Sequence, residues 1–322
     1  MKKTFLLFVL CLFYLPQVLT ADGIPPSTKD EPGFWDSFRN FFLPHVERRT
    51  ILFEKDTKYF NVTVEEDSNG FRHLVFNPNK GSQGIWNPSS PADLCSKYCK
   101  YSSMYLAASV RPPKRILFIG LGAGIMPRFM REQFPSSIID IAEIDPGIED
   151  IAEKYFRFKS DPEMKVTVGD GRVFVNITNQ KYDAVFIDAY TADSIPFQLT
   201  TVEFFKNVRK VLVPDGLMIA NIANLGRENF IASELKTILK VFPESKVFIT
   251  ENSSNYIVFS TPEGEIDIDA MNDKASSIDS GNGLNFKMLP MIDNLMSDDE
   301  LQEFVSDGTI LTDDFAPVET MK

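Results

Sequence analysis

The apolar run Ile116-Leu117-Phe118-Ile119 leads directly into Gly120-Leu121-Gly122-Ala123-Gly124. Glycines at alternate positions let the backbone turn tightly and approach a ligand closely, and a helix start just beyond offers its free N–H groups. Such a turn also serves plain strand-to-helix packing, so its chemistry depends on the residues downstream. Three further runs end on acids: Glu143-Ile144-Asp145, Val168-Gly169-Asp170-Gly171 and Ile187-Asp188-Ala189-Tyr190. The first of these lies about 20 residues beyond the glycines, the separation at which a carboxylate accepts hydrogen bonds from ribose hydroxyls. Ligands of open α/β sheets bind outside the carboxyl ends of the strands. A glycine turn and three acid-tipped strands therefore converge on one nucleotide-sized crevice.

The elements that must position these residues are legible in the same stretch. Strands are expected at Ile116–Ile119, Ile138–Ala142, Lys165–Val168, Ala184–Ile187, Leu217–Ala220, Lys246–Thr250 and Tyr256–Ser260. Helical patterns at Gly147–Phe156, Thr201–Leu212 and Glu228–Val241 separate several of them. Alternation of this kind predicts a parallel, Rossmann-like sheet covered by helices on both faces. Upstream, Tyr59–Val64 and Phe71–Phe76 flank an Asp67-Ser68-Asn69-Gly70 turn, the pattern of a β-hairpin. The fold class is α/β, with a small N-terminal β domain. The expected division is a signal peptide (1–21), a leader (22–50), the β domain with a linking helix at 98–110 (51–110), the nucleotide-binding domain (111–262), and a polar loop with the C-terminal tail (263–322).

Composition narrows the partners. Lys2 and Lys3, the run Phe5–Leu15, Pro16 and the small residues Thr20 and Ala21 have the layout of a signal peptide. That predicts a secreted or lumenal protein with no stable membrane span once the signal is cleaved. Losing both lysines moves the net charge from −12 to about −14, which excludes nucleic acid as a natural partner, because phosphate binding needs a basic face. A cationic substrate suits the charge; so does a plain solubilising surface. With two His, His45 and His73, a His-rich metal site is excluded and no metal is expected. Cys95 and Cys99 remain after Cys11 leaves with the signal. Sequons at Asn61, Asn176 and Asn252 are candidate glycan sites in a lumenal protein.

In order and spacing, Gly120–Gly124, Glu143-Ile144-Asp145, Gly169-Asp170-Gly171 and Asp188 resemble the spermidine synthase (polyamine aminopropyltransferase) family, within the class I methyltransferase fold. The resemblance runs from about Phe53 to Glu319. It includes Asp188-Ala189-Tyr190, Ile195-Pro196, Leu199-Thr200 and Glu203-Phe204, and the tail Leu311–Glu319. It implies S-adenosylmethionine or its decarboxylated form as co-substrate. Gly120, Gly122 and Gly124 would line that co-substrate's amino-acid and sulfonium end, Glu143 would hold the ribose and Asp170 the adenine amino group. Asp188 would be the catalytic acid–base residue. It further implies Gln83 and Tyr101 (or Tyr98) as acceptor-binding residues, with Asp193 standing one register out from the family's second aspartate.

The chain departs from that family where the acceptor binds. Ala189-Tyr190-Thr191-Ala192 stands where spermidine synthases carry Ser-Ser-Asp-Pro, and the acids around the tyrosine are absent. Three readings stay open: aminopropyl transfer to an amine, methyl transfer to another acceptor, and a catalytically silent protein that keeps the fold. A metal-assisted methyltransferase would want an Asp-Asn pair where Ala220-Asn221 stands. The expected partner is a small molecule, with a polyamine as one candidate; a homodimer is compatible with this reading.

Overall fold

The computed structural model describes residues 49–317 except 78–80, 191–194, 225, 254 and 282. The expected signal peptide, the leader up to residue 48, and Asp193 lie outside the described residues. Two sheets organise the remainder. The first is an antiparallel meander, β1 (Thr50–Asp56), β2 (Asn61–Glu66), β3 (Arg72–Phe76) and β4 (Ser82–Trp86), paired in that order. Its central hairpin forms because Asp67 Oδ1 accepts from the N–H groups of Asn69 and Phe71, each at 2.9 Å, while Gly70 supplies the positive φ that closes the turn.

The second sheet has seven strands in the order β10-β11-β9-β8-β5-β6-β7. These are β5 (Arg115–Ile119), β6 (Ile138–Glu143), β7 (Met164–Val168), β8 (Tyr182–Ile187), β9 (Leu212–Ala223), β10 (Ser245–Ile249) and β11 (Asn255–Ser260). Strand order reverses between β5 and β8, so a crevice opens at their carboxyl ends. β5 through β9 run parallel, but β11 is antiparallel to both of its neighbours. The reason is the connection: residues 250–254 are too few for a crossover, and only an antiparallel partner is within reach.

Ten α-helices and two short 3-10 turns (Phe197–Leu199 and Glu251–Ser253) complete the described fold: α1 (Lys97–Ser102), α2 (Tyr105–Ala108), α3 (Ile125–Gln133), α4 (Ile148–Phe156), α5 (Gly171–Ile177), α6 (Val202–Val211), α7 (Glu228–Val241), α8 (Ile268–Ser280), α9 (Leu289–Ile292) and α10 (Asp298–Val305). Alternate residues of β5 serve opposite faces. Ile116 and Phe118 pack with α3, α4 and the meander, Leu117 and Ile119 with α5, α6 and α7. Burying each of these side chains contributes roughly 1.5–3 kcal/mol, which fixes the strand that carries the glycine turn.

Two expectations need correction. The helix expected over 98–110 is two short helices, because the Ser103 hydroxyl donates to the Lys100 carbonyl at 2.6 Å and competes with helix continuation. The polar stretch expected as a loop up to Asn285 contains α8. Asp267 caps it by accepting from Ala270 N–H at 2.9 Å, and a narrow stripe of Ile268, Met271, Ala275 and Ile278 docks on the core. Its remaining residues are polar enough to hide that stripe from a reading based on hydrophobic runs.

Candidate active site

A cavity of about 430 Å³ opens at the carboxyl ends of β5, β6 and β8, in the size range of a nucleoside-bearing ligand. Gly120, Gly122, Glu143, Asp170, Asp188 and Gln83 all line it. The glycine turn needs glycine for two different reasons. A Cβ on Gly120 (φ +98°) would run into the Asp188 carbonyl, whereas around Gly122 there is open space. Gly124 is not a lining residue: it caps the start of α3, and a Cβ there would meet the Phe158 ring at 2.7 Å. Its role is close packing.

Glu143 is buried at the end of β6. Its Oε2 accepts from Leu121 N–H at 2.8 Å and its Oε1 from Asp145 N–H at 2.9 Å, tying β6 to the glycine turn. Burial pushes its carboxyl up from the ordinary value, and those backbone donors hold it back. Asp145 belongs to the scaffold. It accepts from Thr57 Oγ1 at 2.5 Å, from Tyr59 N–H at 3.1 Å and from Gly147 N–H at 2.9 Å, so it fastens the β1–β2 turn to the main sheet. Asp170 is the N-cap of α5, with Oδ1 accepting from Arg172 N–H at 2.7 Å and Val173 N–H at 3.2 Å. Its Oδ2 accepts from Gln198 Nε2 at 3.3 Å.

Asp188 follows β8. Protein surrounds it on most sides, and one edge opens on the cavity. Burial raises its carboxyl to about 6, against the opposing pull of Asn221 and Tyr98. Asn221 Nδ2 donates to Asp188 Oδ1 at 2.8 Å. A carboxyl placed this way exchanges protons near neutral pH, as a general acid–base requires.

Of the two tyrosines expected at the acceptor, the structure places Tyr98 in the cavity lining and Tyr101 outside it. Residues 98 and 102 share one face of α1, and both meet the cavity. Tyr101 is rotated off that face and its hydroxyl accepts from Asn294 Nδ2 at 2.9 Å. The Tyr98 hydroxyl donates to the Gln83 carbonyl at 3.0 Å, which joins α1 to β4.

Sequence reasoning passed over Asn221, Gln198 and Tyr190 as lining residues. The rule that found Asp188, a polar residue at the carboxyl end of a parallel strand, also reaches Asn221; nothing in the sequence marks Gln198. Arg172 forms a two-point pair with Asp313 at 2.8 and 2.5 Å. That pair fastens the C-terminal turn beside Asp170. Among the described residues no group of three or more His, Cys, Asp or Glu side chains forms a metal site, both cysteines are free thiols, and no helix is long and apolar enough to cross a membrane. Asn176 and Asn252 are exposed, and Asn61 is half-buried with Nδ2 donating to Asp56 at 2.9 Å.

Comparison with known proteins agrees with this layout. Residues 101–269 match the family model of the spermine/spermidine synthase domain. A polyamine aminopropyltransferase of Vibrio vulnificus is 31% identical over 86% of this chain and 93% of its own length. Among solved structures, a probable spermidine synthase from Corynebacterium glutamicum shares the fold, with a TM-score of 0.65 and 20% identity over 84% of this chain and 99% of its own. Human methyltransferase-like protein 13, in complex with SAH, has a TM-score of 0.51 and 27% identity over 58% of this chain and 92% of its own. With a crevice at the strand reversal, a glycine turn facing three carboxylates, and this match over most of its length, the chain belongs to the spermine/spermidine synthase family of transferases.

Proposed function

We propose that the protein binds decarboxylated S-adenosylmethionine and transfers its aminopropyl group to an amine, with Asp188 as the acid–base residue. One observation carries this reading. Glu143, Asp170 and Asp188 line the cavity, and no lysine, arginine or histidine does so among the described residues. Such a lining suits a cationic donor and a cationic acceptor. S-adenosylmethionine differs from its decarboxylated form by one carboxylate, for which this lining offers no positive side chain. Glu143 would receive the ribose hydroxyls, Asp170 and Gln198 the adenine edge, and Gly122 would allow close approach of the sulfonium end.

The acceptor reaches the site as an ammonium ion, which has no lone pair to attack with. Asp188, ionised above pH about 6, takes one of its protons. The freed nitrogen attacks the propyl carbon bonded to sulfur. A carbon–nitrogen bond forms, the carbon–sulfur bond breaks, and its electron pair stays on sulfur, releasing neutral methylthioadenosine. Tyr98, Gln83 and Asn221 would orient the acceptor. Methyl transfer is the second reading, favoured by the similarity to human methyltransferase-like protein 13.

Calorimetric titration with both donor forms separates the two. Preference for the decarboxylated form is expected; preference for S-adenosylmethionine transfers the case to methylation, and binding of neither removes both. We also propose entry into the secretory pathway, supported by the layout of residues 1–21 and by exposed Asn176 and Asn252. Expression in a secreting eukaryotic host should yield medium protein whose mass falls on peptide-N-glycosidase treatment; retention inside the cell with unchanged mass counts against it.

A further inference from the structure

Two side-chain amides in series reach Asp188, the nearer one at the cavity wall and the farther one behind it. Asn221, near the end of β9 and only 7% exposed, donates through Nδ2 to Asp188 Oδ1 at 2.8 Å. Its own Oδ1 accepts from Nδ2 of Asn255 at 2.8 Å. Asn255 opens β11, the antiparallel neighbour of β9, paired at Ala223. The end of β9 is held as well: the Tyr190 hydroxyl donates to the Asn221 carbonyl at 2.5 Å and accepts from Ala223 N–H at 2.6 Å. With its backbone fixed, Asn221 retains one freedom, the direction of its amide.

That direction matters because an amide donates at nitrogen and accepts only at oxygen. Facing an ionised Asp188, Asn221 must present Nδ2, which leaves its buried oxygen needing a donor. Asn255 supplies one. Turned round, Asn221 would set oxygen against carboxylate. Building on the reading of Asp188 as the base, we propose that Asn255, which does not line the cavity, is a positioning residue: it fixes the direction of the Asn221 amide, commits Asp188 Oδ1 to Asn221, and leaves proton exchange to Oδ2.

Few other groups compete for control of this carboxyl among the described residues. Tyr98 and Cys99 face it from α1 and Tyr190 from its own loop, and burial pushes all three well above their ordinary values, so they stay neutral through the working range. Glu234 on α7 faces Tyr190. From β9 and β11 the facing groups are the two amides, and the glycine turn offers backbone alone.

The test reads the protonation of Asp188 directly, by carboxyl carbon NMR titration of the intact protein, alongside the pH profile of kcat/KM. In Asn255→Asp the new carboxylate can only accept, so it draws Asn221 Nδ2 to itself and turns Asn221 Oδ1 onto Asp188. Asn255→Leu removes the donor without adding charge. An upward shift of the Asp188 titration by about one unit or more is expected in Asn255→Asp, and a smaller upward shift in Asn255→Leu. Activity in the first should fall about tenfold on the acid limb and recover at high pH, a recovery that a merely structural defect would not give. An Asp188 titration unmoved in both variants overturns the proposal. Should Asp188→Asn retain turnover, the reading of Asp188 as base fails instead, and the titration still reports whether the amide pair controls it.

Discussion

The carboxylates at the proposed nucleotide end of the cavity are held differently from the one at the proposed acceptor end. Glu143 accepts from the backbone of Leu121 and Asp145, and Asp170 from the backbone of Arg172 and Val173. Those donors exist for any sequence that keeps the turn and the helix start. Asp188 is held by side chains among the described residues, Asn221 foremost, with Asn255 behind it. On the proposed reading, the nucleotide end should therefore tolerate substitution, while the acceptor end should be retuned by a change at Asn255, which does not line the cavity. This difference matches the sequence, where the nucleotide motifs resemble the family and the acceptor motifs depart from it.

The strongest way to break the contrast is to neutralise one acid at each end. Asp188→Asn should cut turnover by about 10²–10⁴-fold and leave nucleotide affinity nearly unchanged by calorimetry. Asp170→Asn should do the reverse, weakening nucleotide binding while its asparagine still caps α5. Equal losses of both properties in both variants would show one undivided site.

Next in size, Gly120→Ala forces a side chain onto the Asp188 carbonyl at φ +98°. It should lower stability by about 2–4 kcal/mol in denaturant melts and disturb both ends at once, since this glycine lies between them. Unaltered stability would mean that the turn relaxes freely.

A pH experiment sharpens the acceptor side. Glu234, behind Tyr190, is buried with Oε2 unpartnered among the described residues, and burial raises it to about 8. A carboxyl raised on folding contributes stability that is present below its unfolded value, near 4.5, and is lost as pH climbs through 8. Glu234→Gln should therefore melt higher than the native protein at pH 9 and nearly level with it at pH 4.5. A constant difference across that range would place the effect elsewhere. The smallest change is expected at the half-exposed pair of Arg172 with Asp313. Asp313→Asn should cost no more than about 1 kcal/mol, and less in high salt; a larger, salt-independent loss would mean that the tail does more than rest beside Asp170.

Most of the sheet was legible in the sequence, because buried parallel strands are continuous apolar runs such as Leu117–Ile119 and Val185–Ile187, each closed by a glycine or an acid. The crevice was legible too, since a glycine or an acid at a strand's carboxyl end is a local pattern to which a general rule of open sheets applies. α8 was not, because its apolar stripe is one residue wide and becomes visible only against the core it covers. The direction of β11 was decided by the length of the connection before it.

The glycine turn, the acids at Glu143, Asp170 and Asp188, and the family they imply were determined by the sequence alone, since each depends on residue type at a strand end. Tertiary structure decided which of these groups reach the cavity. It sent Gly124 to Phe158, Asp145 to Thr57 and Tyr101 to Asn294, and brought Tyr98 to Gln83 and Asn221 with Asn255 to Asp188. Such partners lie far apart in the chain, and only the packing of the meander, α1, β9 and β11 around the crevice sets which pairs come within 3 Å or so of one another.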